Sequence, residues 1–230
     1  MRRLLLVSLM AFFALSAPAQ NQEGLIRGTV LADDGSPVAD AHLCADVMQG
    51  STILTVLNTN TDDIGVFAFS GLALGEYRVS AEKQEAGYLS TRPDIFSCKP
   101  PLTLALTPGT PTTTTLIRFG PKAGVLTGWV RDSATSESIA AQLSLAPVSG
   151  CGWSGTGTSG KFKFRLLIPA DTAINFGACA VGYKPWFYDD PSNPSHPLPL
   201  QLRPGAELKI DINLEHSLES TQTPCASGKL

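Results

Sequence analysis

The sequence predicts an all-β chain of two tandem Greek-key sandwiches, and three observations carry that expectation. Apolar residues alternate with period two in short runs, as in Ile26, Gly28 and Val30 or Leu208, Ile210, Ile212 and Leu214, the pattern of strands with one face toward a core. Turn signals break these runs at short intervals: "DDGSP" at 33–37, "DDIG" at 62–65, "LALG" at 72–75 and "TPGTP" at 107–111. The chain also repeats itself. "GLIRGTV" from Gly24 recurs as "GVLTGWV" from Gly124, and "ADAHLC" matches "IAAQLS" at the same offset of 100. Composition agrees, since charged residues are only 16% while glycine (21) and proline (17) are plentiful, which suits strands and turns better than long surface helices.

The chain opens with "MRRLLLVSLMAFFALSAPAQ", a basic start at Arg2 and Arg3, an apolar run from Leu4 to Leu15, and "APA" before Gln20. This reads as a secretory leader cut near Ala19, with an apolar run too short to span a bilayer and no cysteine after it to take a lipid. The expected location is secreted, periplasmic or cell-surface, without membrane insertion. Beyond residue 19 there are fifteen basic and twenty acidic side chains, formally −5, a surface that does not attract nucleic acid or anionic lipid.

The order of elements follows from the repeat. The first copy is expected over 20–120, the second over 121–216, and 217–230 as a flexible tail. In the first copy a strand through Gly28 and Val30 turns before Pro37 and Val38, and the next strand passes His42. In "TDDIGVFAFSGLALGEYRV", Asp63 and Gly65 close a turn, Phe67 and Phe69 share one face of a strand, Leu72 plugs the end of the core, and Tyr77, Val79 and Ala81 form the following strand. In the second copy the offset shortens to 95, pairing "GVFAF" at Gly65 with "GKFKF" at Gly160 and "AGY" at Ala86 with "VGY" at Val181. At 96 residues "LTLALTPG" from Leu102 pairs with "LPLQLRPG" from Leu198, each followed by one last alternating strand.

The residues of the first copy resemble a known family, the carboxypeptidase regulatory-like domain. The marks are Gly28 and Val30, the turn before Pro37 and Val38, Asp62 to Phe69, Gly75 with Tyr77, and Gly87 with Tyr88. The resemblance covers 24–119 and, less fully, 124–216. There "SATSESIA" replaces the Pro-Val turn and "IPADTAINF" replaces the Gly-x-Tyr turn. It implies a transthyretin-like, broadly immunoglobulin-like β-sandwich. It also implies an accessory or binding role of the kind found in surface and secreted bacterial proteins, sometimes beside carbohydrate-active modules. The family has no catalytic residues to carry over.

The motifs that point to chemistry lack their context. "GTGTSGKF" at 155–162 satisfies G-x-G-x-x-G, yet "KFKFRLLIP" follows where a phosphate site needs a helix, so the segment is expected as a flexible loop. His42, His196 and His216 are scattered, with no G-x-S-x-G, H-E-x-x-H or paired C-x-x-C. No enzyme activity, metal or cofactor is expected. Asp33, Asp34, Asp62 and Asp63 suit Asx turns better than a calcium site. Five cysteines in an exported chain imply disulfides, with Cys44–Cys98 and Cys151–Cys179 the simplest pairs and Cys225 left in the tail; alternatively Cys44 and Cys179 are buried strand thiols.

If a ligand binds, it is expected at "GYKPWFYDDPSNPSHP", residues 182–197, where Trp186 and Tyr188 offer flat faces to a sugar ring and Asp189 and Asp190 accept its hydroxyl protons, with Trp153 as a third face. The opposing expectation is that Trp186 and Phe187 cap the second core. The function implied is a non-catalytic binding or adhesion module for a glycan or the cell envelope, and its alternative is a structural or assembly partner of another envelope protein.

Overall fold

Alternation of apolar residues becomes two stacks of sheets in the computed structural model, which describes residues 23–92, 100–149, 163–188 and 199–217 and the backbone of 155–159. Residues 1–22 and those beyond 217, with the expected leader and tail, lie outside these residues. The first stack is built from β1 (Gly24–Leu31), β2 (His42–Gln49), β3 (Thr52–Asn60), β4 (Val66–Leu72), β5 (Gly75–Glu82), β6 (Leu102–Leu106) and β7 (Thr112–Arg118). One sheet runs β4-β1-β7 and the other β3-β2-β5-β6. Their inner faces enclose Ile26, Val30, Leu43, Ala45, Phe67, Phe69, Tyr77 and Val79, all buried. Leu72 closes the end of this core, and the Tyr77 hydroxyl donates to the Ala73 carbonyl at 2.7 Å, tying the plug to the strand that follows it.

The second stack repeats the plan with β8 (Gly124–Gly128), β9 (Val130–Asp132), β10 (Ala141–Pro147), β11 (Gly155–Ser159), β12 (Phe164–Ile168), β13 (Ile174–Cys179), β14 (Trp186–Phe187), β15 (Glu207–Lys209) and β16 (Ile212–Leu214). It too has its own core, containing Leu126, Leu143, Phe164, Ile174, Phe176 and Ile212. β1 pairs antiparallel with β4 and parallel with β7, and β8 pairs antiparallel with β12 and parallel with β15. The expected all-β sandwich architecture is thus present.

A close approach explains the glycine of "RGTV" and "TGWV". A Cβ on Gly28 would collide with the Thr115 carbonyl and meet the Phe67 ring at 2.8 Å. A Cβ on Gly128 would collide with the Ile210 carbonyl and meet the Phe164 ring at 2.8 Å. In each stack the chain running parallel beside the first strand therefore presses against a glycine of that strand, and a phenylalanine paired to that glycine fills the space above it. This geometry corrects the sequence alignment. Phe67 corresponds to Phe164, not Phe162, so the offset here is 97 and not 95.

Other departures are absorbed locally. Ile139 donates to the Val130 carbonyl at 3.0 Å just as Val38 donates to Val30 at 3.0 Å, so the turn survives without its proline. Ile174 replaces Tyr77 at the start of the next strand, and Asp171 with φ 55° takes up the left-handed position in the turn before it. "GTGTS" at 155–159 is a strand paired to β10, not the expected flexible loop, because its alternation with β10 from Ala141 to Leu145 supplies a full ladder. Asp34 accepts from the Ser36 N–H at 2.9 Å, and Asp62 accepts from the N–H groups of Ile64 and Val66 at 3.1 and 2.8 Å, the expected Asx turns.

Gly28→Ala should lower stability by roughly 2 to 3 kcal/mol, the usual cost of forcing atoms into a filled space, whereas Gly120→Ala, with open space around its Cβ, should be close to neutral. Urea denaturation of the two variants checks this.

Candidate functional site

The segment expected to bind a ligand begins where β13 ends. Gly182, at φ 85°, turns the chain, and β14 then adds to the open edge of β13 through Gly177–Phe187 and Ala178–Trp186. The Tyr188 N–H donates to the Phe176 carbonyl at 2.8 Å. This pairing sends Trp186 inward: its ring meets Phe176 edge-on at 5.7 Å, and both Trp186 and Tyr188 pack half-buried against the second core. Phe187 points the other way, over Gly177, and stays 44% exposed. The structure brings Trp186 and Tyr188 together on the core side. Trp153, Asp189 and Asp190 lie outside the described residues.

Sequence reasoning missed the polar cluster directly beneath this segment. Asp132, at the end of β9, is 4% exposed, yet four donors converge on its carboxylate. The N–H groups of Ala134 and Thr135 donate to Oδ1 at 2.7 and 3.0 Å, the Tyr183 hydroxyl donates to Oδ2 at 2.8 Å, and His216 Nε2 sits 2.7 Å from Oδ2. The Tyr183 and His216 rings stack at 4.7 Å. The Tyr183 hydroxyl, then the Thr135 N–H, hold the Asp132 carboxyl down at about 2 against the opposing effect of burial, while the carboxylate pushes the Tyr183 phenol up. Chemically this cluster is a clasp. The last described residues are pinned to 182–184 by Lys184 N–H to Glu215 and Ser217 N–H to Gly182, at 2.8 and 2.9 Å. The one signal in the sequence was "VGY" followed 33 residues later by a lone histidine after the final strand.

The first stack holds a second charged pair. Asp46, on the outer face of β2, is buried, and Arg92 Nη2 donates to both its oxygens at 2.6 Å. With Ile53, Arg78 and Pro101 they line a shallow cleft of about 130 Å³. Cys44 lies on the same outer face as a free, buried thiol, pushed up by burial. The expected Cys44–Cys98 bridge is therefore not made, and the buried strand thiol is the correct description of Cys44. Cys179 is disulfide-bonded. Its partner sulfur, like Cys98, Cys151 and Cys225, lies outside the described residues. Among the described residues no group of three His, Cys, Asp or Glu could hold a metal ion, and no helix is long and apolar enough to cross a membrane.

Because the folded Asp132 carboxyl sits below its ordinary value near 3.8, its contribution is fully present above that value and is lost as pH falls through about 2. Acid unfolding of the second stack should consequently be shallower below pH 4 in Asp132→Asn, measured by near-ultraviolet circular dichroism across pH 1.5 to 6, on the order of the window those two values define.

Residues 25–116 match the model of the carboxypeptidase regulatory-like domain, spanning β1 through most of β7. No curated protein matches the chain. Among solved structures, the Bacillus anthracis TIE protein aligns at 15% identity and a TM-score of 0.35, over 84% of this chain and 34% of that one. The Streptococcal ancillary pilin aligns at 14% and 0.38, over 87% and 64%. The shaft pilin SpaA from Lactobacillus rhamnosus GG aligns at 12% and 0.32, over 85% and 98%. The chain thus spans about a third of the first of these and under two thirds of the second. The first stack of this chain is thus similar to the carboxypeptidase regulatory-like domain, whose model it matches over residues 25–116.

Proposed function

We propose that the chain is an exported, non-catalytic binding module of the cell surface that acts by contact with envelope protein. The observation that carries this reading is the edge strand β3, "TILTVLNTN". Among the described residues it pairs on one side only, with β2, and it exposes Ile53, Leu54 and Val56 at 45, 58 and 42%. Edge strands are usually protected by charge or proline, and β3 has neither. Such a strand offers backbone groups and apolar side chains to another protein. The leader of basic, apolar and small residues at 1–19 and the regulatory-like domain over 25–116 support export and an accessory role.

A glycan platform at Trp186, Tyr188, Asp189, Asp190 and Trp153 is the second reading, and the exposed ring of Phe187 beside them favours it. The core packing of Trp186 and Tyr188 weighs against it, since each ring has one side committed to the protein. The within-copy disulfide Cys151–Cys179 belongs to the same proposal of an exported chain.

Retention of the mature protein on isolated envelope should vanish when the envelope is pretreated with protease and persist after periodate oxidation; the reverse result would establish the glycan reading. Trp186→Ala with Tyr188→Ala should lower stability by about 2 to 4 kcal/mol, below the full cost of truncating two buried aromatics because both are half-buried, without a selective loss of retention.

A further inference from the structure

We infer that β3 is the contact through which two copies of this chain associate, pairing antiparallel about a two-fold axis at Val56. This rests on the reading of β3 as a protein-binding edge and names its occupant. The strand carries no charge over nine residues in a chain with a formal charge of −3, or −5 without residues 1–19. Two net-negative molecules meet most easily where neither presents a carboxylate.

The register makes the same point. With Val56 against Val56 of the second copy, Thr52 lies opposite Asn60, Ile53 opposite Thr59 and Leu54 opposite Asn58. The acids that follow the strand, Asp62 and Asp63, come opposite Gly50 and Gln49, so no like charges face each other. The buried Asp46 behind the strand is already neutralised by Arg92 at 2.6 Å. An acidic or basic partner would find no counter-charge along β3, whereas a second β3 finds matching threonine, asparagine and branched apolar side chains.

The pairing would join two four-stranded sheets, β3-β2-β5-β6 from each copy, into one continuous sheet and remove the exposed edge from both. An edge of nine residues is about 30 Å long. That is an interface at the small end of the stable range, so association should be weak and concentration-dependent.

Sedimentation of the mature protein from about 1 to 300 μM should show a mass rising from one chain toward two. Val56→Lys should weaken the dimer at least about tenfold by placing two ammonium groups face to face, and mixing Val56→Lys with Val56→Glu should restore it as a heterodimer. Independently of any variant, hydrogen exchange on the wild type should show protection of residues 52–60 increasing with protein concentration. A monomer at every concentration, a dimer indifferent to Val56→Lys, no rescue on mixing, or concentration-independent exchange at β3 would each overturn the proposal. Envelope retention is a separate measurement: a monomer still retained on protein in the envelope would defeat the dimer while leaving the functional reading intact.

Discussion

Both stacks depend on one steric constraint, the close approach of the parallel neighbouring chain to a glycine in the first strand. At Gly28 and Gly128 the parallel neighbouring chain, at Thr115 and Ile210, comes so near that a single methyl would strike its carbonyl oxygen. Because β7 and β15 pair parallel with β1 and β8, they must return from the other sheet to lie beside the chain's starting strand, and the close approach at the glycine lets them do so. The ring of Phe67 or Phe164 then covers the backbone that the glycine leaves bare. Leu106 over Gly24 and Leu202 over Gly124 repeat the device one turn of the pleat away. A strand interior normally disfavours glycine; here the packing of an adjacent backbone outweighs the lost propensity.

On this shared frame the two stacks solve one packing position differently. In the first, Ala32, Tyr88 and Phe119 meet, with Tyr88 stacked on Phe119 at 4.9 Å. In the second, Asp132, Tyr183 and His216 occupy the corresponding places, with Tyr183 stacked on His216 at 4.7 Å. The turns agree as well: Ala32 donates to Ser36 at 2.8 Å as Asp132 donates to Glu137 at 2.9 Å, and Gly35 and Ser136 both take positive φ. Apolar contact closes the first stack, while hydrogen bonds to a buried carboxylate close the second. A buried polar cluster of this kind gives up generic burial for directional contact, and it ties the chain leaving the second stack to the segment that carries Trp186.

Much of this was legible in the sequence because strand periodicity and turn chemistry are local. Ile26, Phe67, Phe69, Leu72 and Tyr77 are where alternation puts them, and Asp34 and Asp62 make the turns their side chains favour. What was not legible depends on pairing between distant strands. Whether Phe162 or Phe164 faces Gly128 is decided by the β8–β12 register. Whether "GTGTS" is a loop or a strand is decided by β10 beside it. Trp186 and Tyr188 look like loop aromatics until the Ala178–Trp186 pair turns them toward Phe176. The Asp132 clasp joins residues 51 and 84 positions apart, and the openness of β3 is a property of the sheet's strand order, not of "TILTVLNTN" itself.

The central claim is that one scaffold is used twice, with an apolar closure in the first stack and a polar one in the second. It is tested most directly by giving the second stack the first stack's residues, Asp132→Ala together with His216→Phe, and comparing urea denaturation midpoints with Asp132→Ala alone. If the positions are equivalent, the added phenylalanine stacks on Tyr183 as Phe119 does on Tyr88, and the double variant recovers much of the stability that the single variant loses. A double variant less stable than Asp132→Ala, with the losses simply adding, would contradict the account.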